Sequence, residues 1–249
     1  MESSNPTLNE RIFSKARAAL GSGATMTVQG TANKALVLLG VLLLTAGWSY
    51  NATYQPGMTS VVMIAAGASA IIGFILVMVA SFKPNWSPVA APIYAACEGI
   101  VLGCVSAMYA AKYPGIVVQA VGLTFTALFT MLIAYRMGWI QATEGFKRGL
   151  FIAMISLMVF YGIVFIASLF GVRAPGFING ASPLGIAFSM FSVGLATLFL
   201  ILDFDRIERS SQEGLEKYME WYCALSLMVT LVWIYVEMLR LLSKLQRRD

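Results

Sequence analysis

Seven apolar runs set what this 249-residue chain can fold into. They lie at 35–50, 59–82, 89–111, 116–135, 150–170, 184–202 and 221–242. A spanning helix needs about 20 mostly apolar residues, and each run comes near or above that length. The first is short and is expected to begin a turn earlier, near Thr31. The runs are continuous rather than alternating, which argues against strands. Turn signals fall between them: Gln55-Pro56-Gly57, Lys83-Pro84-Asn85, Tyr113-Pro114-Gly115, Ala174-Pro175-Gly176 and Ser182-Pro183. The fold class expected is all-α, a polytopic membrane protein with seven transmembrane helices whose neighbours pack antiparallel. Its parts are a cytoplasmic segment 1–34, a membrane domain 35–242 and a short basic tail 243–249.

Composition excludes several function classes. Apolar residues make up 59% and charged residues 12%, against about 25% charged in a soluble domain. The chain has no histidine, which removes His-based acid–base catalysis and the usual zinc sets. No P-loop, dinucleotide fingerprint, HExxH or GxSxG occurs. No enzyme activity, cofactor or metal centre is expected. Cys97, Cys104 and Cys223 lie inside apolar runs and read as packing residues. The formal charge of +5 is spread over loop ends, so it points to topology rather than nucleic acid.

Lysine and arginine give the orientation. The N-terminal segment and the loops after runs two, four and six carry eleven, against two in the loops after runs one, three and five. This places the N-terminus in the cytoplasm. Seven spans then carry Arg240, Lys244, Arg247 and Arg248 to the other face, against the rule. Either the tail lies there or the last segment is re-entrant. Residues 1–34 lack the basic start and apolar core of a signal peptide. Leu8, Ile12, Phe13, Ala16, Ala19 and Leu20 can share one helical face, so this segment reads as a lipid-surface helix or as an ordinary tail.

Ionisable residues inside spans are costly and usually face a bundle interior. Glu98 lies mid-run in the third span, followed by the close-packing pair Gly99 and Gly103. It reads as part of a proton or cation path, or as a neutral structural acid. In the sixth span Gly185, Ser189, Ser192, Ala196, Phe199 and Asp203 form one small, polar face, and Asp203 closes the run. Helical spacing pairs Asp203 with Arg206, and Asp205 with Arg209. In the seventh, Ser226, Thr230, Trp233, Glu237, Arg240 and Lys244 form a seam that must face protein or water. Glu237 can meet Arg240, three residues on.

In order and spacing these stretches resemble the transmembrane Bax inhibitor motif family, in its bacterial Bax inhibitor-like branch. The residues that carry the resemblance are Met26-Thr27-Val28-Gln29-Gly30-Thr31 and Cys97-Glu98-Gly99-Ile100-Val101-Leu102-Gly103. They continue with Leu202-Asp203-Phe204-Asp205-Arg206-Ile207-Glu208 and Lys217-Tyr218-Met219-Glu220-Trp221-Tyr222. The resemblance implies six helices around a central seventh, in a bacterial inner membrane. It also implies a slow, pH-sensitive leak for cations, calcium above all. In leak-conducting members an aspartate pair joins the sixth and seventh helices. Asp203 matches the first position; the second falls on Thr230, which cannot ionise. Glu220 or Glu98 is the expected substitute, with Glu237 several turns away. A competing reading is a non-transporting membrane protein that docks on a partner, such as a quality-control protease.

Overall fold

The computed structural model describes residues 25–171, 176 and 180–247. Seven helices long and apolar enough to span a membrane are present among them. They are α1 (Val28–Thr53), α2 (Thr59–Phe82), α3 (Ser87–Ala110), α4 (Ile116–Arg136), α5 (Glu144–Leu169), α6 (Pro183–Gln212) and α7 (Met219–Gln246). Hydroxyl caps set three of the starts. Thr27 accepts from Gly30 N, Thr143 from Phe146 N and Ser182 from Gly185 N, each satisfying an orphan donor of the first turn. A 3-10 turn, Pro84–Trp86, leads into α3.

The helices overrun the apolar runs. The first begins at Val28, seven residues before its apolar run, and the seventh continues to Gln246. Asp203 does not close α6; the helix continues to Gln212. Hydropathy marks where a helix meets lipid, whereas backbone hydrogen bonding carries it on into the polar margin. The expectation of a surface helix on the N-terminal segment lies outside the described residues.

The face where α1 begins is called here the N face. On it α1 and α7 start together, because the start of α1 contacts Glu220. At the far face Lys244 of α7 meets Gly185 and Ser189, near the start of α6. One unbroken helix of 28 residues, about 42 Å, therefore crosses a hydrocarbon core of about 30 Å. The re-entrant alternative is overturned: Arg247 lies at the face opposite the start of α1. Arg240 and Lys244 do not breach the charge rule as loop residues would, since both are bound inside the bundle.

Helix α7 is central. It packs on α1, α3, α4 and α6, and no residue from Met219 to Lys244 is exposed. α2 rests on α1 and α3, and α5 on α6. α5 also reaches the centre through Tyr161, which accepts from Arg240 at 2.8 Å. The outer helices turn large apolar side chains outward, among them Ile64, Phe74 and Phe165, as a bilayer requires. Gly99 and Gly103 serve close packing, and their partner is α1. A Cβ on Gly99 would strike Thr45 and the Leu42 carbonyl, and one on Gly103 the Ala46 carbonyl. Ser49 of α1 then reaches the Ile100 carbonyl at 2.8 Å.

Candidate functional site

Small residues on α6 bring its Asp203 against α7. Ser189, Ser192 and Ala196 are fully buried on the face that continues to Asp203. The two helices are joined by a short turn in which Gly214 adopts φ +67°, a conformation that disfavours other residues. One Asp203 carboxylate oxygen accepts from Ser226 Oγ at 2.7 Å, and the other from Thr230 Oγ1 at 2.6 Å. The aspartate is only 7% exposed. Thr230 Oγ1 also lies 3.2 Å from the Ser226 carbonyl. The helix-spaced partner does not form: Arg206 is exposed and makes no ion pair with Asp203. Burial turned the carboxylate toward α7, while the long, charged Arg206 stays outside. Among the described residues no cation lies within ion-pair distance of Asp203.

Neither substitute acid joins it. Glu220 is fully buried but belongs to another cluster. Its carboxylate accepts from Thr27 N at 3.0 Å, Thr27 Oγ1 at 3.1 Å and Lys34 at 2.6 Å, with Lys217 at 3.2 Å. Gly30 leaves room for it, because a Cβ there would overlap the Glu220 carboxylate. The Lys34 ammonium also lies 5.4 Å from the Trp221 ring centre. Glu98 is half-buried against α2, where its carboxylate lies 3.6 Å from where a Cβ on Gly73 would stand. Helix geometry explains the split: Gly99 faces α1, so its neighbour turns about 100° away.

The other charged residues form satellites. Asp205 meets Arg209 at 3.0 Å, as its spacing suggested, and also Lys147 of α5 at 2.9 Å. Glu208 accepts from Tyr135 at 2.6 Å. Toward the far face Glu237 meets Arg240 at 2.7 Å, and Lys244 donates to the Gly185 carbonyl and Ser189. Thus Asp203, Ser226 and Thr230 come together at one place, while Glu98, Glu220, Asp205 and Glu237 each serve a different one. Sequence reasoning missed Lys34, Lys147, Tyr135 and Tyr161 as partners. All four contact acids or bases on distant segments, which no local spacing encodes. No group of three His, Cys, Asp or Glu able to hold a metal occurs among the described residues.

Fold and site together define a multi-pass membrane protein: a seven-helix bundle around a buried helix, with one carboxylate held there by hydroxyls. The chain belongs to the Bax inhibitor 1 like family, whose model matches residues 5–247. No curated protein and no solved structure gives a significant match to the chain.

Proposed function

We propose that this protein is a proton-controlled cation leak in which Asp203 is the exchangeable carboxylate. The observation that carries the reading is the Asp203–Ser226–Thr230 clasp. An ionised carboxylate in a dry interior is costly unless it is hydrogen-bonded. Here each oxygen has one hydroxyl donor and, among the described residues, no cation. A hydroxyl can donate or accept. When Asp203 takes up a proton, its new O–H donates to Thr230 Oγ1. The Thr230 proton then turns to the Ser226 carbonyl, already 3.2 Å away. Both protonation states are satisfied there, so a proton can arrive without breaking the fold. What changes is the net charge clamping α6 to α7.

Thr230 in place of a second acid makes this a one-carboxylate device. It takes up one proton where an aspartate pair would share one. The cation class is set by the single negative charge, with calcium as the first candidate through the family resemblance. The lysine and arginine distribution favours a cytoplasmic N face, and the family resemblance suggests a bacterial cell membrane.

The test is flux. Purified protein in liposomes is expected to pass calcium or potassium, with a pH dependence that Asp203→Asn abolishes. Flux equal to that of empty liposomes, at acidic and neutral pH alike, would overturn the reading. It would leave a docking or regulatory role as the better account.

A further inference from the structure

A cavity of about 280 Å³ lies between α1, α3, α4 and α7, away from the polar seam. Its wall on α7 is formed by Met228, Leu231, Val232 and Tyr235. At 100° per residue these side chains point opposite to Ser226, Thr230 and Glu237. The cavity is therefore not a continuation of the Asp203 cluster.

Its lining asks for no water. A buried water needs two to four polar partners. Three of its four hydroxyls are engaged: Ser106 Oγ lies 2.6 Å from the Leu102 carbonyl and 2.7 Å from Tyr235 Oη, and Thr124 donates to the Ala120 carbonyl at 2.8 Å, while the fourth, on Tyr50, stands at the end of the lining on α1 beside the Tyr54 ring. The rest of the wall is almost wholly aliphatic or aromatic. An apolar cavity of about 150 Å³ already takes up benzene, and this one is nearly twice that size. Left empty, its lining would forgo packing contacts on one side.

The cavity opens sideways. α1 and α4 flank it, and they pack on α3 and α7 rather than on each other. At its rim Leu43 is 52% exposed and Gly47 is also exposed. Both lie well inside the 26-residue α1, so the opening stands at the depth of the hydrocarbon. Along α1 the lining runs from Leu39 to Tyr50, an elongated shape about 16 Å long. The medium at that depth is lipid tails.

We propose that this cavity is a binding site for one acyl chain of a bilayer phospholipid, entering between α1 and α4. The occupant would lie against the reverse side of the segment of α7 that clasps Asp203. The site stands on its own, whether or not the leak reading holds.

The test uses liposomes doped with a phospholipid carrying a diazirine in mid-chain, followed by irradiation and mapping of labelled residues. Outward-facing Ile64 of α2, 74% exposed, is the reference for simple contact with lipid. The expected result is label on Met228 and Val232, which are 2% and 9% exposed. Gly47→Trp should remove that label while Ile64 keeps its own. A Cβ at Gly47 meets nothing within 4 Å, so the indole fills the mouth without disturbing the backbone. Val121→Trp, from the facing helix, is the second plug. Absence of label on Met228 and Val232 in the unaltered protein, or its persistence in both plugged variants, would overturn the proposal.

Discussion

Two acids on neighbouring helices, Asp203 and Glu220, are both buried in the half of the bundle nearer the N face, and they are held in opposite ways. Glu220 has two lysines, a backbone N–H and a hydroxyl. Asp203 has two hydroxyls and no cation among the described residues. A carboxylate neutralised by cations loses those ion pairs on gaining a proton, so it is fixed as part of the scaffold. A carboxylate held by hydroxyls keeps its hydrogen bonds in either state. The difference teaches that burial alone does not mark a functional acid; the chemistry of its partners does.

The sharpest way to break the Glu220 side is Gly30→Val. The new side chain would displace the carboxylate from both Thr27 and Lys34. Separating a buried pair costs about 3–5 kcal/mol. Thermal unfolding in detergent, followed by dye labelling of the buried thiols Cys104 and Cys223, measures it. Glu220→Ala in the same chain should recover part of the loss, since the clash is then gone.

Asp203 should respond less in stability and more in function. Asp203→Ala leaves the buried Thr230 hydroxyl and the half-buried Ser226 hydroxyl without their acceptor, a cost of about 1–3 kcal/mol. Thr230 can fall back on the Ser226 carbonyl, which favours the lower end. Asp203→Asn keeps one acceptor and gains a donor for the other hydroxyl. It is expected to stay within about 1 kcal/mol of the unaltered protein in the same thiol assay. In the flux assay it should lose its pH response. Thr230→Asp sharpens the comparison from the other direction. It sets a second carboxyl beside the first, and two strongly coupled acids titrate in two macroscopic steps. A flux–pH curve with two steps instead of one is expected; an unchanged curve would mean that Asp203 is not the group being titrated.

Seven spans, their order and the buried polar faces of α6 and α7 were legible from hydropathy and helical spacing. So was the close-packing role of Gly99 and Gly103, though not its partner α1. The pairing of Asp203 with Ser226 and Thr230 could be anticipated only in part: the seam was visible, and the facing acid was visible. Their register does not follow from hydropathy or helical spacing, because it depends on how the turn through Gly214 stacks α7 on α6; only the family resemblance set Thr230 opposite Asp203. Arg206 misled for a physical reason. Local spacing counts residues within reach along one helix, but desolvation decides which side of the helix each group takes. Glu220 misled in a related way, because its partners Thr27 and Lys34 lie nearly two hundred residues earlier. Continuity failed as a guide at the helix ends, where α6 runs past its last apolar residue as a charged extension.

The smallest effect is expected at Lys217, and it divides the Glu220 cluster into essential and dispensable parts. Lys217 and Lys34 both meet the same carboxylate, yet their side chains are 52% and 20% exposed. The Lys34 ammonium sits at 2.6 Å and also faces Trp221. Lys217 sits at 3.2 Å and remains largely in water, where counterions compete for it. Lys217→Met should therefore cost no more than about 1 kcal/mol, the range of exposed ion pairs. The difference should shrink as salt is added, because an exposed pair is screened within about 10 Å at 0.1 M ionic strength. Lys34→Met, by contrast, should cost more and change little with salt. If the two variants unfold alike and respond alike to salt, the carboxylate is held by diffuse positive charge rather than by Lys34. Glu220 would then resemble Asp203 more closely than its contacts suggest.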